Sequence, residues 1–307
     1  MKKKKLIIGT RSSKLALWQA NYIAECIRTE YPEMDVSLLH IMTTGDKILD
    51  VPLAKIGGKG LFTKEIETAM LSGEIDLAVH SLKDMPTQLP PGLLLAAITE
   101  RVDPGDALVS PKYGTIDNLP QGAKIGTSSL RRRAQLLKYR PDLVISDLRG
   151  NLDTRLKKMT TEDLDGIILA AAGLKRLGWQ HLITQILPND ICLPAVGQGA
   201  LALEARTDDG EVRTMLEFLN HQGTRWAVEA ERSYLAEVEG GCQIPIGVYG
   251  YIKQELLILE AVILSVDGKQ YLRQTISGQA SAGIELGRSL AQTMLAAGGR
   301  EILQELS

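Results

Sequence analysis

The feature that most limits how this chain can fold is a short pattern that occurs twice. Ile8-Gly9-Thr10 and Ile125-Gly126-Thr127 each end an apolar segment, and each comes shortly before a pair of serines. Apolar residues at helical spacing follow both copies, and an apolar segment led by an aspartate comes later, at Asp76 and at Asp165. This order predicts two similar α/β domains, each with a strand-to-helix loop that faces a shared cleft. The alternative is a chance similarity between short apolar strands.

The first helix extends from this pattern to about Glu30. Leu15, Trp18, Tyr22 and Cys26 recur at the spacing of one helical face. We expect that face to be buried.

Length and charge exclude several classes of protein. The 307 residues suffice for two or three domains. A net charge of −2 and only two phenylalanines argue against a nucleic-acid partner, which needs a basic surface and often stacked aromatic rings. No apolar stretch is long enough to span a membrane. Lys2–Lys5 are not followed by the apolar region of a signal peptide, so a cytoplasmic location is expected.

The three cysteines differ in their surroundings. Cys26, Cys192 and Cys242 are odd in number and widely spaced, which predicts neither a disulfide framework nor a metal site. Cys192 stands between apolar residues and is expected in a core. Cys242 follows two glycines and precedes Pro245, so it is expected in a loop with its sulfur available. A nucleophile or a covalent attachment point is the favoured interpretation, and a small buried hydrophobic residue is the alternative.

Changes in the pattern of apolar segments and the positions of proline and glycine predict three domains. Pro104-Gly105 marks a first linker, and a return crossing is expected near Leu193–Gly197. After about residue 224 a helix and alternating apolar segments follow, with Asp267-Gly268 as a hairpin turn and a final helix to about Ala297. The predicted boundaries are 1–100 with 197–220, 101–196, and 221–307, the last being a small α+β domain.

Three arginines stand at the unfavourable end of a predicted helix. Ser128 or Ser129 is a good N-cap, which places Arg131, Arg132 and Arg133 in the first turn. The helix dipole carries partial positive charge there, so cations are disfavoured unless an anion lies among them. The triplet therefore indicates an anion site, and a solvated basic turn is the alternative.

Further charged residues follow predicted strands. Asp84 comes after the apolar segment that ends in His80-Ser81, and Lys83 stands beside it. Ligands bind at the carboxyl ends of strands in open α/β sheets, so a functional carboxylate is one interpretation and a turn aspartate before Pro86 is the other. Cations at similar strand ends favour the recognition of several carboxylates or phosphates. These cations are Arg11, Arg149, Arg155 and Arg176.

Two glycine-rich segments complete the set of candidates. Residues 55–60 are basic and glycine-rich but do not form a phosphate-binding P-loop, so Lys55 and Lys59 are expected in a mobile lid. Gln198 lies between two glycines and is expected to line the cleft, since glycines allow the backbone to approach a ligand closely.

Six motifs in order give the chain a resemblance to a known family. They are Gly9-Thr-Arg-Ser-Ser13, His80-Ser-Leu-Lys-Asp-Met-Pro86, Gly126-Thr-Ser-Ser-Leu-Arg-Arg132, Arg149-Gly-Asn151, Gly197-Gln-Gly-Ala200, and Glu231-Arg232 with Gly240-Gly-Cys-Gln-Ile-Pro245. Together they resemble the porphobilinogen deaminase (hydroxymethylbilane synthase) family over essentially the whole chain.

The resemblance implies a fold, a cofactor and a reaction. It implies two lobes like those of periplasmic binding proteins, joined by two chain crossings, and a small α+β C-terminal domain. It implies a dipyrromethane cofactor held as a thioether on Cys242, with no metal. It also implies a transferase of haem biosynthesis that deaminates four porphobilinogen molecules and joins them head to tail into hydroxymethylbilane, with ammonia released. The expected protein is a monomer without a membrane or nucleic-acid partner.

The resemblance also implies roles for single residues. Asp84 would bind pyrrole N–H groups and stabilise the cationic pyrrolenine. The cofactor would be held by Cys242, Lys83, Asp84, Thr127, Ser129, Arg131 and Arg132. The substrate would be held by Arg11, Ser13, Phe62, Ser81, Arg149, Arg155, Arg176 and Gln198. Arg133 lies outside the motif and is expected on the solvated surface.

Two other classes remain as alternatives. A two-lobed solute-binding or sensing module would share the lobes and the anion site, but it would not need a loop cysteine after two glycines. An enzyme that binds phosphosugars or nucleotides is disfavoured because the chain has no phosphate-binding loop.

Overall fold

The predicted alternation of strands and helices is present in the computed structural model, which describes residues 3–47, 60–238 and 244–304. Internal contacts divide the chain into two compact units. The first contains the described residues up to Arg101 together with Ala200–Arg225, and the second contains Val102–Gly199 and the described residues from Trp226 onward. The C-terminal segment is thus grouped with the second unit, and the division into three domains stays a prediction.

The first unit is built on one five-stranded sheet. Its strands are β1 (Lys5–Thr10), β2 (Asp35–His40), β3 (Leu77–Ser81), β4 (Leu93–Ile98) and β10 (Leu201–Arg206), in the order β2-β1-β3-β10-β4. The strand β1 is parallel to both of its neighbours, β2 and β3, whereas β10 is antiparallel to β3 and β4. The strand that completes this sheet therefore comes from a distant part of the sequence.

The second unit repeats this arrangement. Its first sheet contains β5 (Asp106–Val109), β6 (Lys124–Gly126), β7 (Val144–Ser146), β8 (Gly166–Ala170) and β9 (Gln185–Ile186), in the order β7-β6-β8-β5-β9. Here β6 is parallel to its two neighbours, and β5 is antiparallel to β8 and pairs with β9. The two copies of the Gly-Thr pattern end β1 and β6, which hold the same place in the two sheets. The internal repeat is therefore real, and the prediction of an α/β fold is confirmed.

The described residues contain the helices predicted after β1, after Ser129, after about residue 224 and near the end of the chain, together with further helices that were not predicted. They are α1 (Lys14–Glu30), α2 (Thr44–Lys47), α3 (Lys64–Leu71), α4 (Leu130–Tyr139), α5 (Leu152–Thr161), α6 (Ala171–Arg176), α7 (Gly210–Met215), α8 (Gln222–Glu237), α9 (Gly283–Met294) and α10 (Arg300–Gln304). The side chain of Ser13 accepts a hydrogen bond from Ala16 N at the start of α1. Ser129 does the same for Arg132 N at the start of α4, which confirms the predicted cap.

The buried face of α1 differs from the prediction. The helix buries Gln19, Ala20, Ile23, Ala24 and Ile27. The predicted face is turned outward, with Trp18 36% and Tyr22 47% exposed and Cys26 half-buried. The small alanines allow close packing on the sheet, where Ile23 and Ile27 join the core around Leu6 and Leu203. The two aromatic rings stack on each other instead.

The C-terminal part of the second unit has its own sheet. The strands β11 (Ile246–Lys253), β12 (Leu256–Leu264) and β13 (Tyr271–Gln279) form an antiparallel meander. The predicted turn between the last two strands is confirmed, since Gly268 has a φ of +74°. Tyr234 of α8 and Met294 of α9 are buried with Leu259 in a core on this sheet. Backbone approach is close here, because a Cβ on Gly287 of α9 would overlap the carbonyl oxygen of Ala230 in α8.

Candidate functional site

A pocket in the first unit brings together several residues that the sequence singles out. Its wall contains Arg11, Ser13, Phe62, Ser81 and Asp84, which come from three separate stretches of the chain. The cavity measures about 70 Å³, which is room for about five water molecules. It lies at the carboxyl ends of β1 and β3, where an open α/β sheet presents its loops.

The backbone around the pocket explains how these side chains are held. Asp84 ends a short helical turn, Leu82–Asp84, that follows β3 directly, and its side chain is exposed. Leu82 is buried and anchors this turn. The hydroxyl of Ser81 accepts a hydrogen bond of 2.8 Å from the side-chain amide of Gln19 in α1. The pocket thus presents one exposed carboxylate on a firmly anchored turn.

Arg11 has fixed partners on two sides. Its guanidinium donates to the Asp46 carboxylate, with Nε 3.1 Å from Oδ2, and lies 4.2 Å from the centre of the Phe62 ring. Burial alone would raise the pKa of Asp46, but hydrogen bonds from Arg11 and Thr43 more than offset it and lower that pKa. Phe62 was expected to stack on a substrate ring. In the structure the guanidinium of Arg11 lies over one face of the Phe62 ring.

Three buried titratable residues in or near the pocket wall were not predicted from the sequence to belong to the site. His80 lines the pocket, and its Nε2 lies 3.1 Å from Oε2 of Glu204. Glu67 of α3 is the third member, close enough for its pKa to respond to both other groups. The only sequence signal was Glu204 itself, a charged residue inside the apolar strand Leu201–Arg206.

In the second unit, two arginines of the triplet, Arg131 and Arg132, contact a buried carboxylate. Asp106 is fully buried, and its Oδ2 lies 2.6 Å from Arg131 Nη1. Its Oδ1 accepts from Arg132 Nε at 3.0 Å and from Arg132 Nη2 at 2.6 Å. Burial alone would raise the pKa of Asp106, but the two guanidinium groups hold it well below its usual range. The anion expected at this helix start therefore includes a carboxylate of the chain itself, Asp106, which was not predicted from the sequence.

Other buried polar groups complete the coordination of Asp106. Gln198 is 1% exposed and donates to Asp106 Oδ1 at 3.0 Å and to the carbonyl of Pro104 at 2.6 Å. Gln198 is thus held among these buried groups, and its expected place beside a ligand stays a prediction. Cys192 is fully buried, as predicted, and burial raises the pKa of its thiol to about 12, with Asp106 adding to the shift. That thiol is unreactive at neutral pH.

The remaining predicted cations differ in whether their guanidinium groups donate hydrogen bonds to other described residues. Arg176 is 8% exposed and donates to the carbonyl of Gly199 at 2.7 Å, and Arg155 donates from Nε to the carbonyl of Gly150 at 2.9 Å. Arg149 is different, because its Nη1 is buried and has no hydrogen-bond partner among the described residues. Arg133 is half-buried, with its Nε buried and unpaired among the same residues, so its expected solvated position is corrected.

The smaller predicted polar residues of the second unit lie at the start of α4. Thr127 is 4% exposed, and its hydroxyl accepts from Ser129 N at 3.3 Å. Lys83, in the first unit, is half-buried in the turn that carries Asp84. Cys242, Lys55 and Lys59 lie outside the described residues.

No helix among the described residues is long and apolar enough to cross a membrane. The same residues contain no group of three or more histidine, cysteine, aspartate or glutamate side chains arranged to hold a metal ion.

Comparison with known proteins gives consistent matches. Residues 6–214 match the family model described as porphobilinogen deaminase, dipyromethane cofactor binding domain. Residues 226–296 match the porphobilinogen deaminase C-terminal domain.

Similar proteins match over nearly the full length. The chain is 57% identical over 302 residues to the porphobilinogen deaminase of Geobacter sulfurreducens, covering 98% of this chain and 95% of the relative. It is 52% identical to that of Desulforamulus reducens, covering 99% and 98%. A probable amino-acid ABC transporter extracellular-binding protein from Bacillus subtilis is similar at a TM-score of 0.40 and 10% identity, covering 71% of this chain and 90% of that one. A TM-score this low adds nothing to the fold described above.

Proposed function

The chain belongs to the porphobilinogen deaminase family and is a transferase of tetrapyrrole biosynthesis, and we propose that the pocket around Asp84 is where it carries out its chemistry. The proposed reaction removes ammonia from porphobilinogen and joins four molecules head to tail into hydroxymethylbilane. The observation that carries this assignment is the meeting of Arg11, Ser13, Ser81 and Asp84 in one pocket wall.

Asp84 is suited to two tasks in this reaction. An exposed carboxylate can accept hydrogen bonds from pyrrole N–H groups, which orients a ring. Loss of ammonia from the substrate leaves a cation, and a carboxylate already in place stabilises it without reorganisation. The Oδ atoms of Asp84 can also receive the proton that the ring gives up afterwards. Ser13 and Ser81 add neutral hydrogen-bonding groups beside it.

The residues present fit the dipyrromethane cofactor of this family. When bound, the cofactor supplies the pyrrole ring that receives the first substrate unit. We propose Cys242 as its thioether attachment. Arg149 supports the fit, because its buried and unpaired Nη1 requires an acceptor that an acetate or propionate group provides.

The other proposed contacts fall into groups according to how deeply each side chain is buried and which partners it already has in the protein. Lys83, Thr127, Ser129 and Arg155 are proposed to add polar contacts to acetate or propionate groups. Arg11 and Phe62 are proposed to act on the substrate as a pair, because the ring covers the guanidinium. Direct contacts of Arg131, Arg132, Arg176 and Gln198 with pyrroles stay predictions, since each is more than nine-tenths buried and has partners within its own unit.

Substitution of Asp84 tests the proposed site. We expect Asp84→Asn to keep the fold and to lower kcat by about 100-fold or more, because an amide neither stabilises a cation nor takes a proton at neutral pH. Steady-state release of hydroxymethylbilane measures kcat, and circular dichroism checks the fold. Asp208→Asn is the matched control, since Asp208 is exposed and lies outside the pocket wall. Near-normal turnover in Asp84→Asn would remove this residue from the mechanism.

The remaining predictions concern the whole protein. A cytoplasmic location, a monomeric state and the absence of a nucleic-acid partner stay predictions. Light scattering coupled to size-exclusion chromatography tests the second, and a mass twice that of the chain would contradict it.

A further inference from the structure

Asp46 lies beside the Asp84 pocket and holds the arginine of the pocket wall. It belongs to α2, whereas Arg11 follows β1 directly. Nε of Arg11 lies 3.1 Å from Oδ2 and 3.2 Å from Oδ1 of Asp46, and Nη2 of Arg11 also donates to Oδ1. Both side chains are half-buried. The contact therefore joins the loop after β1 to α2 at the wall of the pocket.

The contact uses one of the two edges of the Arg11 guanidinium. Nε and Nη2 form one edge that can meet a carboxylate with two hydrogen bonds, and Nη1 with Nη2 forms the other. Nη1 has no hydrogen-bond partner among the residues that the structure describes. Since Arg11 lines the pocket, the edge that contains Nη1 is the part of its side chain left for a ligand.

The carboxylate of Asp46 is itself held in place by Thr43. The backbone N and the hydroxyl of Thr43 both donate to Oδ2, at 3.2 Å and 2.7 Å. Thr43 is fully buried, so its hydroxyl has a fixed position. A carboxylate that accepts hydrogen bonds from both Thr43 and Arg11 has little freedom to turn. It therefore determines the direction of the Arg11 guanidinium.

Phe62 restrains the same guanidinium from a second direction. The central carbon of the Arg11 guanidinium lies 4.2 Å from the centre of the ring. The ring packs directly on α2, because a Cβ on Gly45 would overlap it. Gly45 N also donates to the carbonyl of Leu61 at 2.8 Å, which joins α2 to the segment that carries Phe62. The two partners of Arg11 are thus parts of one bonded arrangement.

We propose that Asp46 is a positioning residue of the porphobilinogen site, which holds the Nε/Nη2 edge of Arg11 so that the Nη1/Nη2 edge receives one carboxylate of the incoming substrate. This role rests on the assignment of the reaction to the Asp84 pocket. Asp46 acts through Arg11 and does not touch the reacting atoms. Because Asp46 compensates the charge of Arg11, the site recognises a carboxylate through the geometry of two hydrogen bonds and not through an unpaired positive charge.

Ligand binding tests this position without turnover. The probe is the pyrrole that carries the acetate and propionate of porphobilinogen but no aminomethyl group, so that it cannot lose ammonia. Titration calorimetry with the holoenzyme gives its dissociation constant. Asp46→Glu keeps the negative charge and moves the carboxylate by one methylene group, and we expect the dissociation constant to rise about tenfold. Asp35→Glu is the matched control, because Asp35 is exposed at the start of β2 and lies outside the pocket wall. It should leave the dissociation constant unchanged.

Shortened probes show whether the lost contact belongs to one carboxylate. Two analogues of the probe, with a methyl group in place of the acetate or of the propionate, are titrated in the same way. One analogue should lose most of the penalty caused by Asp46→Glu, because it lacks the group that Arg11 holds. The other should show the penalty in full. An equal penalty for all three probes would overturn the proposal, because a general disturbance of the pocket does not distinguish the two carboxylates.

Steady-state kinetics separates positioning from chemistry. In Asp46→Glu we expect KM for porphobilinogen to rise about tenfold and kcat to stay within about twofold, because the turn that carries Asp84 is unchanged. Thr43→Val is a milder variant, which keeps Asp46 and removes one of its hydrogen bonds. It should raise the dissociation constant of the probe by about two- to threefold. If Asp46→Glu does not fold, an unchanged dissociation constant in Thr43→Val overturns the proposal.

A failure of this role differs from a failure of the proposed site. An unchanged dissociation constant in Asp46→Glu removes the role of Asp46 and leaves the reaction at Asp84 in place. High turnover in Asp84→Asn removes the reaction from the pocket, even when the dissociation constants change as expected.

Discussion

At the scale of single residues, the cofactor attachment is the most direct prediction. We expect Cys242→Ser to yield protein without bound pyrroles, because a serine hydroxyl is a far weaker nucleophile than a thiol and forms no thioether. Intact mass measures this, with the unsubstituted chain heavier by two linked pyrrole units. Cys192→Ser is the control and should keep the extra mass, since its thiol is buried and unreactive. A dipyrrole found on the Cys242→Ser protein would contradict the assignment.

The stability of the protein should also depend on pH through the protonation of Glu67. Its folded pKa is raised, so its favourable contribution is complete below the unfolded pKa and is lost as the pH rises through the folded pKa. Glu67→Gln removes this loss. The Tm of Glu67→Gln relative to the unsubstituted protein should therefore increase between pH 5 and pH 8, as measured by calorimetry. A difference that does not change with pH would contradict a raised pKa.

Whether the sequence predicts the role of a residue depends on whether nearby or distant parts of the chain determine its position. Asp84 and Arg11 are predictable because they follow strands at an edge where ligands bind, and the pocket contains both. Asp106 and Glu204 are not predictable in this way. A carboxylate within an apolar strand is stable only beside a partner from another element, and the sequence of the strand does not show which partner that is. For Asp106 that partner is α4, which follows in the chain after other elements.

At the scale of elements, close backbone contact between α8 and α9 can be tested at a glycine. Gly287→Ala should lower stability by about 2 kcal/mol, because the added Cβ meets the backbone carbonyl of Ala230 and neither helix can give way easily. Thermal unfolding measures the change. Gly210→Ala is the control, since nothing lies within 4 Å of its added Cβ and the change should be neutral or slightly stabilising. Equal Tm values for the two variants would show that α8 and α9 can separate at no cost.

Helices and strands were predictable where a local sequence pattern allows only one structure. The Asp267-Gly268 turn fixes its hairpin, and the strands on either side are present. The face of α1 was not predictable, because this helix has two apolar stripes. The stripe with Ala20, Ala24 and the isoleucines is the one that fits against the sheet. Choosing between the stripes requires the shape of the opposing surface, which the sequence of the helix does not contain.

At the scale of the whole molecule, one buried carboxylate supports the second unit. Asp106→Asn leaves two arginines buried beside a neutral amide and should lower stability by about 3 kcal/mol. The folded pKa of Asp106 is depressed, so its contribution is complete above the unfolded pKa and is lost only as the pH falls through the folded one. The loss caused by Asp106→Asn should therefore be the same at pH 5 and pH 8. Asp190→Asn, at an exposed position, is the control and should change stability little. A small effect of Asp106→Asn in urea unfolding would contradict this role.

The late position of β10 in the chain has a consequence for synthesis on the ribosome. The sheet of the first unit needs Leu201–Arg206 between β3 and β4, although both of those strands are made by residue 98. Until Leu201–Arg206 has been synthesised, the edges of β3 and β4 that β10 later covers lack their partner. The strands of the second unit's first sheet, from Asp106 to Ile186, emerge together and need no later strand. The middle of the polypeptide can therefore acquire its tertiary structure before its beginning does.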